Sequence, residues 1–229
     1  EFYGYICQFQ AHLYYPNFLN RFSRSQGDTA VVREVMEENI KYPMFGKDYF
    51  KRTQYSARMI HDKALEWIDS QDAQHPFVGF FTYTLPHAEL AQPDDQILEG
   101  YKKKFFVDKT WGGQEGSRYN PVEHTHAHFA GMITRLDSYV GEVMAKLKEK
   151  GLDKNTLVIF TSDNGPHEEG GADPANSSSF SSAAQGFIVY GACAIIGAKL
   201  CSCIKAFSAA ASSGFTAFAL PPRGLRVKN

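Results

Sequence analysis

Apolar positions recur along this chain with two distinct patterns, and these predict its elements. Phe129, Ile133, Leu136, Val140, Val143 and Leu147 alternate spacings of four and three, the repeat of one helical face. Lys146, Lys148 and Lys150 crowd its end, where cations complement the helix dipole, and Gly151 is placed to terminate it. A second amphipathic helix is predicted over residues 55–69. Ala57, Ile60, Ala64, Leu65 and Ile68 share a face there, with Arg58, Asp62, Lys63 and Glu66 elsewhere. Two short unbroken apolar runs, 77–83 and 157–160, read as strands buried on both faces, as in a parallel sheet. Strand, crossover helix and strand make a βαβ unit, so the pattern predicts an α/β fold. Between these elements, residues 1–20 read as aromatic, well-packed loop and 21–53 as loop or short hairpin. Residues 91–125 read as a long polar insertion.

Both predicted strands end in polar chemistry. The 157–160 run leads into Thr161-Ser162-Asp163-Asn164-Gly165-Pro166-His167. Ligands in open α/β sheets gather outside the carboxyl ends of strands. Asp163 and Asn164 both offer oxygen, which suits a hard cation such as calcium or magnesium, although Asp-Asn-Gly is also ordinary turn chemistry. The 77–83 run leads into Thr84-Leu85-Pro86-His87-Ala88-Glu89. If the two strands are parallel, His87 and Asp163 leave the same edge of the sheet. Gln8, Gln10 and His12 stand among the aromatics of the opening stretch, the mixture a polar-ligand pocket needs, and equally that of a packed loop. His124, His126 and His128 alternate at the start of the long helix. A helix does not point alternate residues one way, which argues against a shared metal.

The formal net charge of −1 does not mark a nucleic-acid binder. Its distribution is uneven. Residues 175–229 hold five of the 24 basic residues, none of the 25 acidic ones and three of the four cysteines. Their apolar segments follow neither helical nor strand period, and 187–198 is too short for a membrane span, which needs ~20 residues. The chain therefore divides at 174. Residues 1–174 read as one domain portion. Residues 175–229 read as a low-complexity tail, most simply a frameshifted or mis-joined translation in which 187–196 neither completes the sheet nor forms a well-buried helix.

Three stretches resemble the sulfatase family of the alkaline-phosphatase superfamily: FYGYICQFQAH at 2–12, PFVGFFTYTLPHAEL at 76–90, and FAGMITRLDSYVGEVMAKLKEKGLDKNTLVIFTSDNGPHEEGGADP at 129–174. The resemblance implies a mixed, mostly parallel sheet sandwiched between helices. It also implies a metal-assisted hydrolase of sulfate esters, with a sulfated small molecule or glycan as substrate. Asp163 and Asn164 match the family's SDNG metal ligands, normally for Ca2+, with Mg2+ the alternative. His87 matches the Pro-His position that contacts sulfate, Gln8, Gln10 and His12 match a segment that lines the substrate pocket, and His167, beside the metal loop, is grouped with them as substrate-binding. The family nucleophile is a formylglycine made from a Cys/Ser-x-Pro-x-Arg motif. That motif is absent from these residues and is expected upstream of Glu1, so the 229 residues by themselves are expected to be inactive. A periplasmic or secreted location is implied with the family. Two alternatives stand beside this reading: a phosphodiesterase or phosphatase of the same superfamily, and a catalytically dead truncated chain.

Overall fold

The computed structural model describes residues 1–162 apart from 25, 26, 28, 29, 88, 106–109, 114 and 118, together with the backbone of two later strands at 192–198 and 218–219. The chain opens with a three-stranded antiparallel sheet. Its strands are β1 (Phe2–Gly4), β2 (Phe18–Phe22) and β3 (Val32–Val35), in that spatial order. A single helical turn, α1 (Gln8–Ala11), lies between β1 and β2. Two of these strands fall where the sequence reads as loop. The reason is that β2 buries Leu19 and Asn20 side by side, so it has no alternation of apolar and polar positions. The Asn20 amide is satisfied by donating to the Gly4 carbonyl at 3.4 Å.

Helix α2 (Ser56–Asp69) leads to strand β4 (Val78–Tyr83), and then come α3 (Gln96–Lys102) and α4 (Thr125–Glu149). The end of α4 follows its sequence signals. Gly151 takes φ 67°, the Leu152 amide donates to the Leu147 carbonyl at 2.8 Å, and the Gly151 amide donates to Lys148 at 3.0 Å. This pair of bonds satisfies carbonyls that the last helical turn leaves open. Leu147 and Leu152 then pack in one cluster with Ile68, Phe77 and Val143. The buried face of α4 is broader than its apolar repeat. It includes Met132, Arg135 and Tyr139, while Ile133 is only partly buried. Helices α2 and α4 meet through His61, which is fully buried and stacks on Tyr139 with ring centroids 4.2 Å apart. Its Nδ1 lies 2.8 Å from the Tyr83 hydroxyl of β4, so one contact joins both helices to the strand.

The second sheet has the order β4-β6-β5-β7, with β5 (Thr156–Ser162), β6 (Ala192–Ala198) and β7 (Phe218–Ala219). Every ladder in it is antiparallel, which corrects the expected mostly parallel sheet. The cause is β6, which lies between the two strands expected to be neighbours. Residues 192–198 thus occupy a central position in the sheet, contrary to the expectation that 187–196 would not complete it. The outer face of β4 is also open rather than buried, with Val78 59% and Phe80 63% exposed. One sequence expectation about direction does hold. Because β6 runs against both, β4 and β5 point the same way. Tyr83 and Ser162 each pair with Ala192, so the two strands end level at one edge. With one strand between them, their ends lie roughly 10 Å apart.

Candidate active site

The loop leaving β4 carries His87 and is fixed from below. The Tyr14 hydroxyl approaches the Thr84 carbonyl at 2.8 Å and the His87 carbonyl at 2.9 Å. The His87 amide donates to Thr84 at 2.8 Å, closing a tight turn. Tyr14 itself is fully buried and tilts against Tyr55. The side chain of His87 stays half-buried, so a rigid backbone presents an accessible imidazole.

His12 meets it from the turn after α1. The two rings pack edge to face with centroids 4.7 Å apart. Nδ1 of His12 lies 2.7 Å from the Gln8 carbonyl, which can only accept, so Nδ1 carries the hydrogen. In the neutral ring this leaves Nε2 as the acceptor. Tyr119 tilts against His12 with centroids 5.8 Å apart and is itself packed on Trp111 at 4.8 Å. A groove of about 750 Å³ opens beside the pair, lined among others by Gln8, His12, Thr84, His87, Arg21 and Lys63. The arrangement offers two imidazoles, an amide and Arg21 to a ligand, while Glu1 and Glu66 also line the groove and Lys63 is paired with Glu66 at 2.6 Å.

Three of the sequence-predicted residues therefore converge: Gln8, His12 and His87. Gln10 does not line the groove. Its carbonyl accepts from the Leu13 amide at 3.0 Å, which places it in the turn that carries His12. Asp163, Asn164 and His167 lie outside the described residues. Asp163 directly follows Ser162, whose strand ends level with Tyr83 at the edge from which the His87 loop leaves. The histidine run at 124–128 is put to structural use. His128 is buried, and its Nδ1 lies 2.7 Å from the Leu90 carbonyl.

The profile of the sulfatase family matches residues 8–189, most of the chain. The chain belongs to the sulfatase family. Similar proteins are an arylsulfatase of Klebsiella aerogenes, 25% identical over 140 residues, covering 48% of this chain and 30% of that protein. An endo-4-O-sulfatase of Bacteroides thetaiotaomicron is 31% identical over 98 residues, covering 42% of this chain and 19% of the relative. An N-acetylgalactosamine-6-sulfatase of the mouse is 27% identical over 124 residues, 51% of this chain and 19% of the relative. The chain thus spans less than a third of each of these relatives. The family belongs to the alkaline-phosphatase superfamily. Sequence reasoning missed Tyr14 and Tyr119 in this candidate site. Neither carries a motif, and each is recruited by packing between segments distant in the chain.

Proposed function

We propose that this chain is a share of a sulfatase catalytic domain, contributed by residues 1–174, that hydrolyses sulfate esters of carbohydrates. The observation that carries the reading is the level end of β4 and β5, which starts the Pro-His and SDNG segments from one sheet edge. His87 acts there as a hydrogen-bond donor to a sulfate oxygen or as the acid that protonates the leaving oxygen. His12, Gln8 and His167 bind the ester and its sugar beside it, and Gln10 holds the turn that carries His12. Asp163 and Asn164 fit a hard cation by their donor chemistry, one carboxylate and one amide oxygen, and are the proposed ligands of Ca2+, with Mg2+ the alternative. When bound, such an ion neutralises charge on sulfate oxygens. The nucleophile is a formylglycine supplied by a segment preceding Glu1, and a periplasmic or secreted location belongs to the same proposal.

The test joins this chain to an amino-terminal segment that carries a Cys/Ser-x-Pro-x-Arg motif. Release of inorganic sulfate from sulfated sugars is then compared with release of phosphate from phosphodiesters. Hydrolysis of the sulfate esters is expected, with His87→Ala slowing it about a hundredfold or more. The 229 residues alone should give no turnover. Preferential phosphodiester cleavage would reassign the chain within the superfamily. Full activity of the His87→Ala protein would remove that residue from the reaction.

A further inference from the structure

The His12–His87 contact joins two segments that do not pair through a sheet, and something must hold it. Glu89 sits two residues beyond His87 and is fully buried. Its amide donates to the His12 carbonyl at 3.3 Å. Its Oε2 accepts from the Asn120 amide at 2.9 Å and from the Asn120 side chain at 2.7 Å. Asn120 follows Tyr119, the ring that tilts against His12. Asn120 is anchored in turn, because its Oδ1 accepts from the Gly46 amide at 2.8 Å and its Nδ2 reaches the Met44 carbonyl at 3.1 Å. One residue therefore touches the backbone under His12, the loop of His87 and the segment of Tyr119. A carboxylate is costly to bury unless its oxygens are satisfied, and here Oε2 takes both Asn120 bonds while the Tyr49 hydroxyl also interacts with the carboxylate. Burial pushes the carboxyl pKa up, while Tyr49, Asn120 and Arg52 act in the opposite direction.

We propose that the Glu89 side chain is the positioning group of the His12–His87 pair, holding Tyr119 and with it both rings in register through Asn120, beside a backbone bond to the His12 carbonyl that any residue at 89 would make. Its contribution is an acceptor at a fixed point, so a side chain of the same length with a carbonyl oxygen should replace it. The proposal rests on the sulfatase reading for its ligand alone; the contact between the rings is independent of that reading.

Histidine-ring NMR of the 229-residue chain tests both parts, with inorganic sulfate as the probe. Wild type should show a His12–His87 ring cross-peak and shifts of both rings on titration. Glu89→Gln keeps the acceptor and should preserve the cross-peak, with a sulfate midpoint within about twofold of wild type. Glu89→Met fills the volume without an acceptor. It should stay folded by circular dichroism, lose the cross-peak and weaken sulfate roughly tenfold, the scale of one lost buried hydrogen bond. A folded Glu89→Met protein with cross-peak and midpoint unchanged overturns the proposal. So does a folded Glu89→Gln protein that fails as Glu89→Met does. Should Glu89→Met not fold, Asn120→Ala breaks the same bridge from its other end, and a retained cross-peak there is equally fatal. If wild type shows no response to sulfate, the sulfate-ester reading fails, and the cross-peaks still decide the positioning role.

Discussion

His128 shows how much a single buried side chain can set the acid response of this fold. Its ring is enclosed between α4 and the segment after the His87 loop, with Nδ1–H donating to the Leu90 carbonyl at 2.7 Å. Burial lowers its pKa from 6.5 to about 4, although the Leu90 bond pulls the other way. The unfolded chain therefore binds a proton more readily than the folded one. Stability from this group is complete above pH 6.5 and drains away as pH falls towards 4. The full effect is about 3 kcal/mol. His61 is shifted in the same direction, chiefly by burial, and adds to the loss. Urea denaturation between pH 7 and pH 4 should show this decline, and His128→Gln should flatten a large part of it. An equally steep profile in that variant would place the acid sensitivity elsewhere. At this scale the sequence was informative where a motif stood at a strand end, as with His87. It was silent where a role arises from enclosure, as with His61 and Glu89, because local composition carries no record of what will fold over a side chain.

Among the elements, α4 depends on a close approach that its apolar repeat does not reveal. Gln92 is buried against the helix. Its Nε2 donates to the His128 carbonyl at 2.6 Å, and its Oε1 accepts from Arg135 Nε at 2.8 Å. Arg135 continues to Asp95, the cap of α3, at 2.7 Å. Gly131 leaves the room for this clamp. A Cβ there would sit 2.8 Å from both Nε2 and Oε1 of Gln92, and the amide cannot swing aside without losing its bonds. Gly131→Ala should therefore destabilise the protein by about 1–3 kcal/mol, despite the better helix propensity of alanine. Thermal denaturation reads this directly, and a stabilised Gly131→Ala protein would show that the clamp yields easily. The existence and direction of α2, α4, β4 and β5 were legible because each has a clean period or an unbroken run. The opening sheet was not, since β2 buries Asn20 beside Leu19. The full breadth of α4's buried face was not legible either, because Arg135 is buried by its partners rather than by its chemistry.

For the molecule as a whole, the decisive feature is what lies between β4 and β5. The two apolar runs suggest direct parallel pairing, whereas the second sheet interposes β6 from a stretch with no acidic residue and no clear period. Both arrangements keep the strands pointing the same way, so the shared edge for the His87 loop and the SDNG segment survives in either. They differ in spacing: roughly 10 Å between strand ends with β6 in place, and roughly 5 Å without it. Amide exchange distinguishes them. Ladder amides of β4 and β5 that bond to β6 should be strongly protected in the 229-residue chain. Deleting residues 175–229 should raise their exchange about a hundredfold or more, leaving the β1-β2-β3 ladder as it was. If protection of residues 78–83 and 156–162 is instead unchanged by the deletion, β4 and β5 pair with each other. The site would then be built on the narrower edge, and residues 1–174 would hold the sheet without help from the tail.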